Sequence, residues 1–307
     1  MTKDKCLVCG NTSFEVLDFF YSRFLPFFFH EVGICKSCGH IQIYKMFNKE
    51  KSNHINKQFF NSVFLQKNKV NVKGNLKKEE KMEERLSPFI HEKMNILDVG
   101  AGEGWTLEYF QRKECNYFAI EAIPRLANSI LERGGQIIGE NVFDNYENYK
   151  SYFDIIIFRH IIEHLHDPTG ALKNLKFLLK RNGLIYLALP NAEDPEKNMG
   201  LRRGFKTSFL RPIHLSYFHP ENITRVAINA CLEPKLVDLS GEIFMLLQHC
   251  DKKQMEHPNL FEQQKATFQR AGKKYLLSDL IIMIFDFPKA LFKRFITYIS
   301  NLKTNRN

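Results

Sequence analysis

Nine residues, HIIEHLHDP at 160–168, bring together three histidines, a glutamate and an aspartate. His160, Glu163 and His164 have the H-x-x-E-H spacing with which a helix can turn two imidazoles toward one metal ion. A second grouping is CLVCG and CKSCG, in which Cys6, Cys9, Cys35 and Cys38 form C-x2-C-x25-C-x2-C. Two thiolates three residues apart fit one tetrahedral zinc ion, and the glycine after each pair lets the knuckle aim its amides at sulfur. With all four positions taken by sulfur, such an ion is architectural and not catalytic. A third grouping is ILDVGAGEGW at 96–105, with Glu121 standing 21 residues beyond Gly100. Glycines there let the chain turn sharply and let a ligand approach the backbone with no Cβ in the way. A carboxylate at the tip of the next strand is placed to take both ribose hydroxyls of an adenosine.

These groups need elements to position them. Asn95–Val99, Tyr117–Glu121, Gln136–Ile138, Phe153–Phe158 and Leu184–Leu189 are short apolar runs. Helix-like stretches at Thr106–Lys113, Arg125–Glu132 and Gly170–Leu179 separate them. That alternation predicts a parallel sheet covered on both faces. A helix opened by Pro220 follows, then Lys235–Leu239 and Ile243–Gln248, joined by Ser240-Gly241 as a hairpin, so the sheet is expected to end in an antiparallel strand. The sequence divides into a cysteine ribbon at 1–45, a helical connector at 46–92, an α/β domain at 93–250 and a basic helical tail at 251–307. Cys115, Cys231 and Cys250 stand apart and read as packed thiols.

ILDVGAGEGW, YFAIE, FDIIIFRHIIEHLHDP and GLIYLALPN together resemble the class I S-adenosylmethionine-dependent methyltransferases, over roughly residues 93 to 250. The loop lacks the Lys-Ser/Thr of a phosphate-gripping loop, and it departs from G-x-G-x-x-G, which weakens a nicotinamide dinucleotide reading. The resemblance implies a seven-stranded Rossmann-like sheet whose last strand is antiparallel. It also implies that Gly100, Ala101 and Gly102 face the methionine part of S-adenosylmethionine, with Asp98 supporting the loop. Glu121 and Ala122 would lie at the ribose, Asn141 and Val142 beside the adenine with Asp144 as a substitute, and Arg159 at the cofactor's edge. In this setting H-x-x-E-H is not a peptidase site. It follows a strand directly, Asp167-Pro168 ends any helix within about two turns, and it is similar to the family's V-L-E-H-x-x-D-P segment.

Methyl transfer to a hydroxyl needs a base, and histidine is best poised for that near neutral pH. His164 and His214 are the candidates; the alternative is that Glu163 and His164 only hydrogen-bond loops around the cofactor. His160 and His166 read as structural or exposed. Arg202, Arg203 and Arg211 could grip a phosphate, and Tyr217 could line the same mouth; a plain surface role for the arginines stands beside this. A cysteine ribbon ahead of such a domain is similar to bacterial sugar methyltransferases, including those acting on nucleotide-linked deoxysugars. Their carbon-methylating members carry a further large C-terminal domain, whereas 57 residues follow here, so oxygen methylation is expected. Two rivals stand: an RNA methyltransferase and a non-catalytic module that kept the cofactor pocket.

The formal charge of +10 sits on the flanks. Residues 45–81 hold ten lysines against three glutamates, and residues 251–307 hold eleven Lys/Arg against five acids. This suits an anionic acceptor, RNA or a phospholipid surface, or else solvated helix faces. From Asp286 a capped amphipathic helix is expected, either lying on a membrane or packed on the protein's own core or a second copy. The opening residues lack the apolar run of a signal peptide, and charges interrupt the greasy tract after Leu276, so a cytoplasmic protein without a membrane span is expected.

Overall fold

The computed structural model describes residues 5–21, 29–44, 72–195, 205, 209–210, 213–251 and 258–281. Most of the lysine-rich 45–81 segment, Arg202, Arg203, Arg211 and the amphipathic stretch from Asp286 lie outside the described residues. The chain forms two compact units, each assembled from separated segments.

The larger unit comprises Lys49–Leu189 and Glu221–His257. Its strands are β4 (Asn95–Val99), β5 (Asn116–Ile120), β6 (Gln136–Gly139), β7 (Phe153–Arg159), β8 (Leu179–Leu189), β10 (Leu232–Asp238) and β11 (Ile243–His249). Across the sheet they run β10-β11-β8-β7-β4-β5-β6. The β4, β5, β6, β7 and β8 pairs are parallel, and β11 runs antiparallel to both β8 and β10. The last strand in the chain is thus the reversed one, as expected, and it is inserted between β8 and β10. A tight hairpin leaves its second strand free to pair on its other side, and the apolar run IFMLLQH, buried over Ile243–Leu247, suits an interior position.

β4 and β7 are buried on both faces, which is why they read as unbroken Ile/Leu/Val runs. On one face Ile96, Ala119, Ile155, Ile157, Tyr186 and Phe244 form a core with α1 (Val72–Leu86), α2 (Leu107–Arg112) and α3 (Pro124–Glu132). α1 contributes Met82 and Leu86, α2 contributes Leu107 and Phe110, and α3 contributes Ile130. By strand alternation Asp98 and Arg159 point to this same side, beyond the ends of the apolar ladder. Asp167 does more than stop the preceding segment. Its carboxylate accepts the Gly170 amide at 2.7 Å and caps α4 (Pro168–Leu178), with Pro168 at the first position. The helix α5 (Pro220–Asn229) then leads toward the last hairpin.

The smaller unit comprises Met1–Asn48, Pro190–Pro220 and Pro258–Asn307. Its antiparallel sheet runs β1 (Phe14–Tyr21), β2 (Phe29–Cys35), β3 (Ile41–Tyr44) and β9 (Ser216–Tyr217). The helix α6 (Phe261–Lys274) packs Phe268 and Ala271 into a core with Val32, Ile34, Ile41, Phe205 and Tyr217. Lys265 of α6 pairs with Glu15 of β1 at 2.6 Å. Among the described residues no helix is long and apolar enough to cross a membrane.

Candidate active site

The glycine loop leaves the C-terminal end of β4 with three left-handed residues, Gly100 at φ 70°, Gly102 at 59° and Gly104 at 61°. L-residues pay for that conformation through their Cβ, and at Gly100 a Cβ would also stand 2.2 Å from Cδ1 of Ile161. The loop is thus pressed against the segment that follows β7. The Gly102 amide donates to Oε2 of Glu121 at 2.8 Å, and the Ile123 amide donates to Oε1 at 2.8 Å. Glu121 is buried at the tip of β5, and burial pushes its carboxyl up against the pull of the Ile123 and Gly102 amides. A carboxylate offers about four lone-pair directions, so capacity for a further donor remains. Ala101 is buried in the loop and Ala122 is exposed beyond Glu121.

Asp98 secures the far end of the loop. Its Oδ2 accepts from Thr106, at the start of α2, and from the Tyr117 hydroxyl at 2.8 Å. Burial raises its carboxyl to about 6, against these two hydrogen bonds. Asn141 and Val142 follow β6. Asn141 is exposed and Val142 buried, and the Asp144 carboxylate accepts the Asn141 amide at 3.1 Å.

After β7 the backbone turns at His160, φ 55°, and residues Ile162–His164 make a single 3-10 turn. No helix presents His160 and His164 to one ion, so the peptidase geometry is absent. His160 instead joins a charged cluster. Its Nε2 lies 3.0 Å from Oε2 of Glu242, and its Nδ1 lies 3.4 Å from Oε1 of Glu163. Arg159 donates to the same Glu242 oxygen at 3.1 Å, while Arg85 of α1 reaches Oε1 of Glu242 at 3.4 Å and Asp238 at 2.7 Å. Burial opposes the charge on Glu242, yet the His160 bond and the Arg159 and Arg85 charges outweigh it and bring the carboxyl to about 2. His160, read from sequence as structural or exposed, is half-buried and flanked by two carboxylates. Neither Glu242 nor Arg85 is marked by sequence; Glu242 sits in the hairpin turn just before β11, and only the hairpin's return to β8 brings it to His160.

His164, with 9% of its side chain exposed, stands 3.9 Å from Glu163. His214 and Tyr217 belong to the smaller unit. Both are buried, their rings 6.2 Å apart, and the Tyr217 ring packs 5.6 Å from Phe209 within that unit's core.

The cysteines converge. Cys6 and Cys38 sulfurs are 3.6 Å apart, Cys9 and Cys35 likewise, and all four lie within 4.8 Å of one another. A tetrahedron with metal–sulfur bonds of about 2.3 Å has edges of about 3.8 Å, so the donor set fits zinc. Gly10 and Gly39, at φ 75° and 71°, close the two knuckles by donating to the Cys6 and Cys35 carbonyls.

A family model described as a methyltransferase domain matches residues 77–233, just over half of the 307-residue chain. The chain belongs to the methyltransferase-domain family. Its fold is similar to that of 1,6-didemethyltoxoflavin N1-methyltransferase from Burkholderia thailandensis, solved with 1,6-didemethyltoxoflavin and S-adenosylhomocysteine. The two share 13% identity with a TM-score of 0.48, over 72% of this chain and 96% of that one. An S-adenosylmethionine-dependent methyltransferase from Mesorhizobium loti is similar at 9% identity and a TM-score of 0.45, over 55% of this chain and 97% of that one. Among curated proteins no sequence matches.

Proposed function

We propose that the chain is an S-adenosylmethionine-dependent methyltransferase that methylates a hydroxyl of a sugar or nucleotide-linked sugar, with a structural zinc ion in its four-cysteine ribbon. The observation that carries the cofactor assignment is the Glu121 carboxylate bonded to the left-handed Gly100–Gly104 loop, at the tips of adjacent parallel strands. When bound, the cofactor supplies an activated methyl group on a sulfonium centre. Glu121 takes the ribose hydroxyls on its remaining lone pairs, and Ala122 borders them. Gly100, Ala101 and Gly102 admit the methionine portion to the backbone, and Asp98 holds the loop through Thr106 and Tyr117. Asn141 and Val142 flank the adenine, and Arg159 borders the pocket at the end of β7. His164 is the assigned base, next to Glu163; His214 is the second candidate, and Arg211 and Tyr217 are assigned to the acceptor. The +10 charge supports an anionic acceptor.

The decisive experiment has two arms. Calorimetry with S-adenosylhomocysteine should give micromolar binding that Glu121→Ala abolishes; a wild-type chain with no affinity would end the cofactor reading. Labelled S-adenosylmethionine and fractionated extract should then place label on nucleotide-sugar or glycan. Label on RNA, with binding that weakens steeply in salt, would overturn the sugar assignment.

A further inference from the structure

We propose that Glu242, on the turn of the last hairpin, is a positioning residue for the cofactor site: it clamps His160 and so fixes the turn that supports the glycine loop. This rests on the cofactor reading above. The neighbourhood explains how a residue that never touches the loop can act on it. His160 occupies a left-handed backbone position immediately after β7, and its amide donates to the Ala188 carbonyl at 2.8 Å. Such a position is strained for a residue with a side chain and persists only where surroundings over-determine it. Here they do. One ring nitrogen is held by Glu242 at 3.0 Å and the other faces Glu163 at 3.4 Å. The next residue, Ile161, carries the methyl that fills the space a Cβ at Gly100 would need. Three and four residues on from His160 stand Glu163 and His164. Locking one imidazole therefore locks the wall of the glycine loop and the two side chains beside it.

Glu242 is itself held from three elements: by Arg85 of α1, by Arg159 of β7 and by His160. Arg85 is further fixed by the Tyr186 hydroxyl of β8 at 2.9 Å and by Asp238 of β10. The groups facing His160 are thus Glu242 from the hairpin, Glu163 from its own turn, with His164 beyond it, and Arg159 from β7, with Arg85, Asp238 and Tyr186 behind Glu242. Burial and Arg159 disfavour a charge on His160, but the two carboxylates outweigh them, so its pKa lies above the ordinary 6.5. A raised histidine pKa means that the support is complete below about pH 6.5 and fades as pH rises through the folded-state value.

The test uses the full chain, S-adenosylhomocysteine as probe and side-chain nitrogen resonances of His160. Glu242→Gln should move the His160 titration to lower pH and weaken binding about tenfold at pH 7. It should also bring the alkaline loss of affinity to lower pH. Asp251→Asn, which breaks the exposed pair with Arg181 far from this cluster, should leave the titration and the binding profile as they were. His160→Asn, which tolerates the left-handed backbone, should abolish the fall in affinity between about pH 7 and 9; it keeps the proposal falsifiable should Glu242→Gln fail to fold. A His160 titration and binding profile in Glu242→Gln that overlay the wild type overturn the proposal. So does a shifted titration with unchanged binding, since the clamp is then merely structural. A wild-type chain that binds no S-adenosylhomocysteine sinks the cofactor reading, and the positioning role with it; that outcome is recognised without any variant.

Discussion

At Gly100 two constraints coincide: a φ of 70° and a space already filled by Ile161. Either alone is tolerable for alanine at a cost of about 1–2 kcal/mol; together they force the loop or the turn after β7 to move. Gly100→Ala should therefore lower stability by about 2 kcal/mol in urea titrations and weaken S-adenosylhomocysteine binding by at least tenfold. Equal binding would show that the loop is not the cofactor's seat. Asp98 makes a different prediction. Its carboxyl is raised to about 6 from the ordinary 3.8, so the folded state prefers the proton. Its stabilising effect is present below pH 3.8 and is lost as pH rises through about 6, an effect of about 3 kcal/mol. Asp98→Asn removes this titration, so the gap between wild-type and variant stability should change between pH 4 and 7. A constant gap would mean that Asp98 is ionised throughout.

Helix α1 meets the sheet through Met82 and Leu86, but its attachment to the last hairpin is electrostatic. Arg85 pairs with Asp238 and Glu242, and its guanidinium stacks 4.0 Å from the Phe244 ring centre. Burial opposes ionisation of both acids, yet Arg85 at Asp238, and His160 with the arginines at Glu242, bring each to about 2. Depressed carboxyls contribute stability above about pH 4 that is lost as pH falls toward 2. Arg85→Ala leaves a buried carboxylate with one cation fewer and should cost about 3 kcal/mol at neutral pH. The same variant should show a shallower loss in acid, read from urea midpoints at pH 3 and 7. An equally steep acid limb would place the charge elsewhere.

At the scale of the molecule, the smaller unit gathers segments from the start, the middle and the end of the described chain. Gly39 sits so close to α6 that a Cβ would lie 2.5 Å from the Leu260 carbonyl carbon, and Asn259 donates to the Lys36 carbonyl at 2.9 Å. A metal holding the knuckles would therefore hold distant sequence too. Removing zinc with a strong chelator should raise hydrogen exchange in 31–44, 213–217 and 261–274 together, while β4 and β7 stay protected. Metal analysis should give one zinc per chain beforehand. Exchange confined to the two knuckles, or no bound zinc, would contradict the proposed centre.

Local pattern carried a large part of this protein. The parallel strands are legible because burial on both faces demands unbroken apolar runs, and the helices between them because their apolar spacing changes period. The glycine loop, Glu121 and the paired cysteines are legible because turn geometry and ligand spacing are short-range requirements. Strand order is another matter. Only the folded sheet inserts β11 between β8 and β10, and only that insertion brings Glu242 across 82 residues to His160. Nor does any local signal tell that Tyr217 packs in a core with Phe268, or that α6 docks on the ribbon strands. Such contacts depend on which surfaces meet after the chain has turned back on itself, and side-chain types along a line do not encode that meeting.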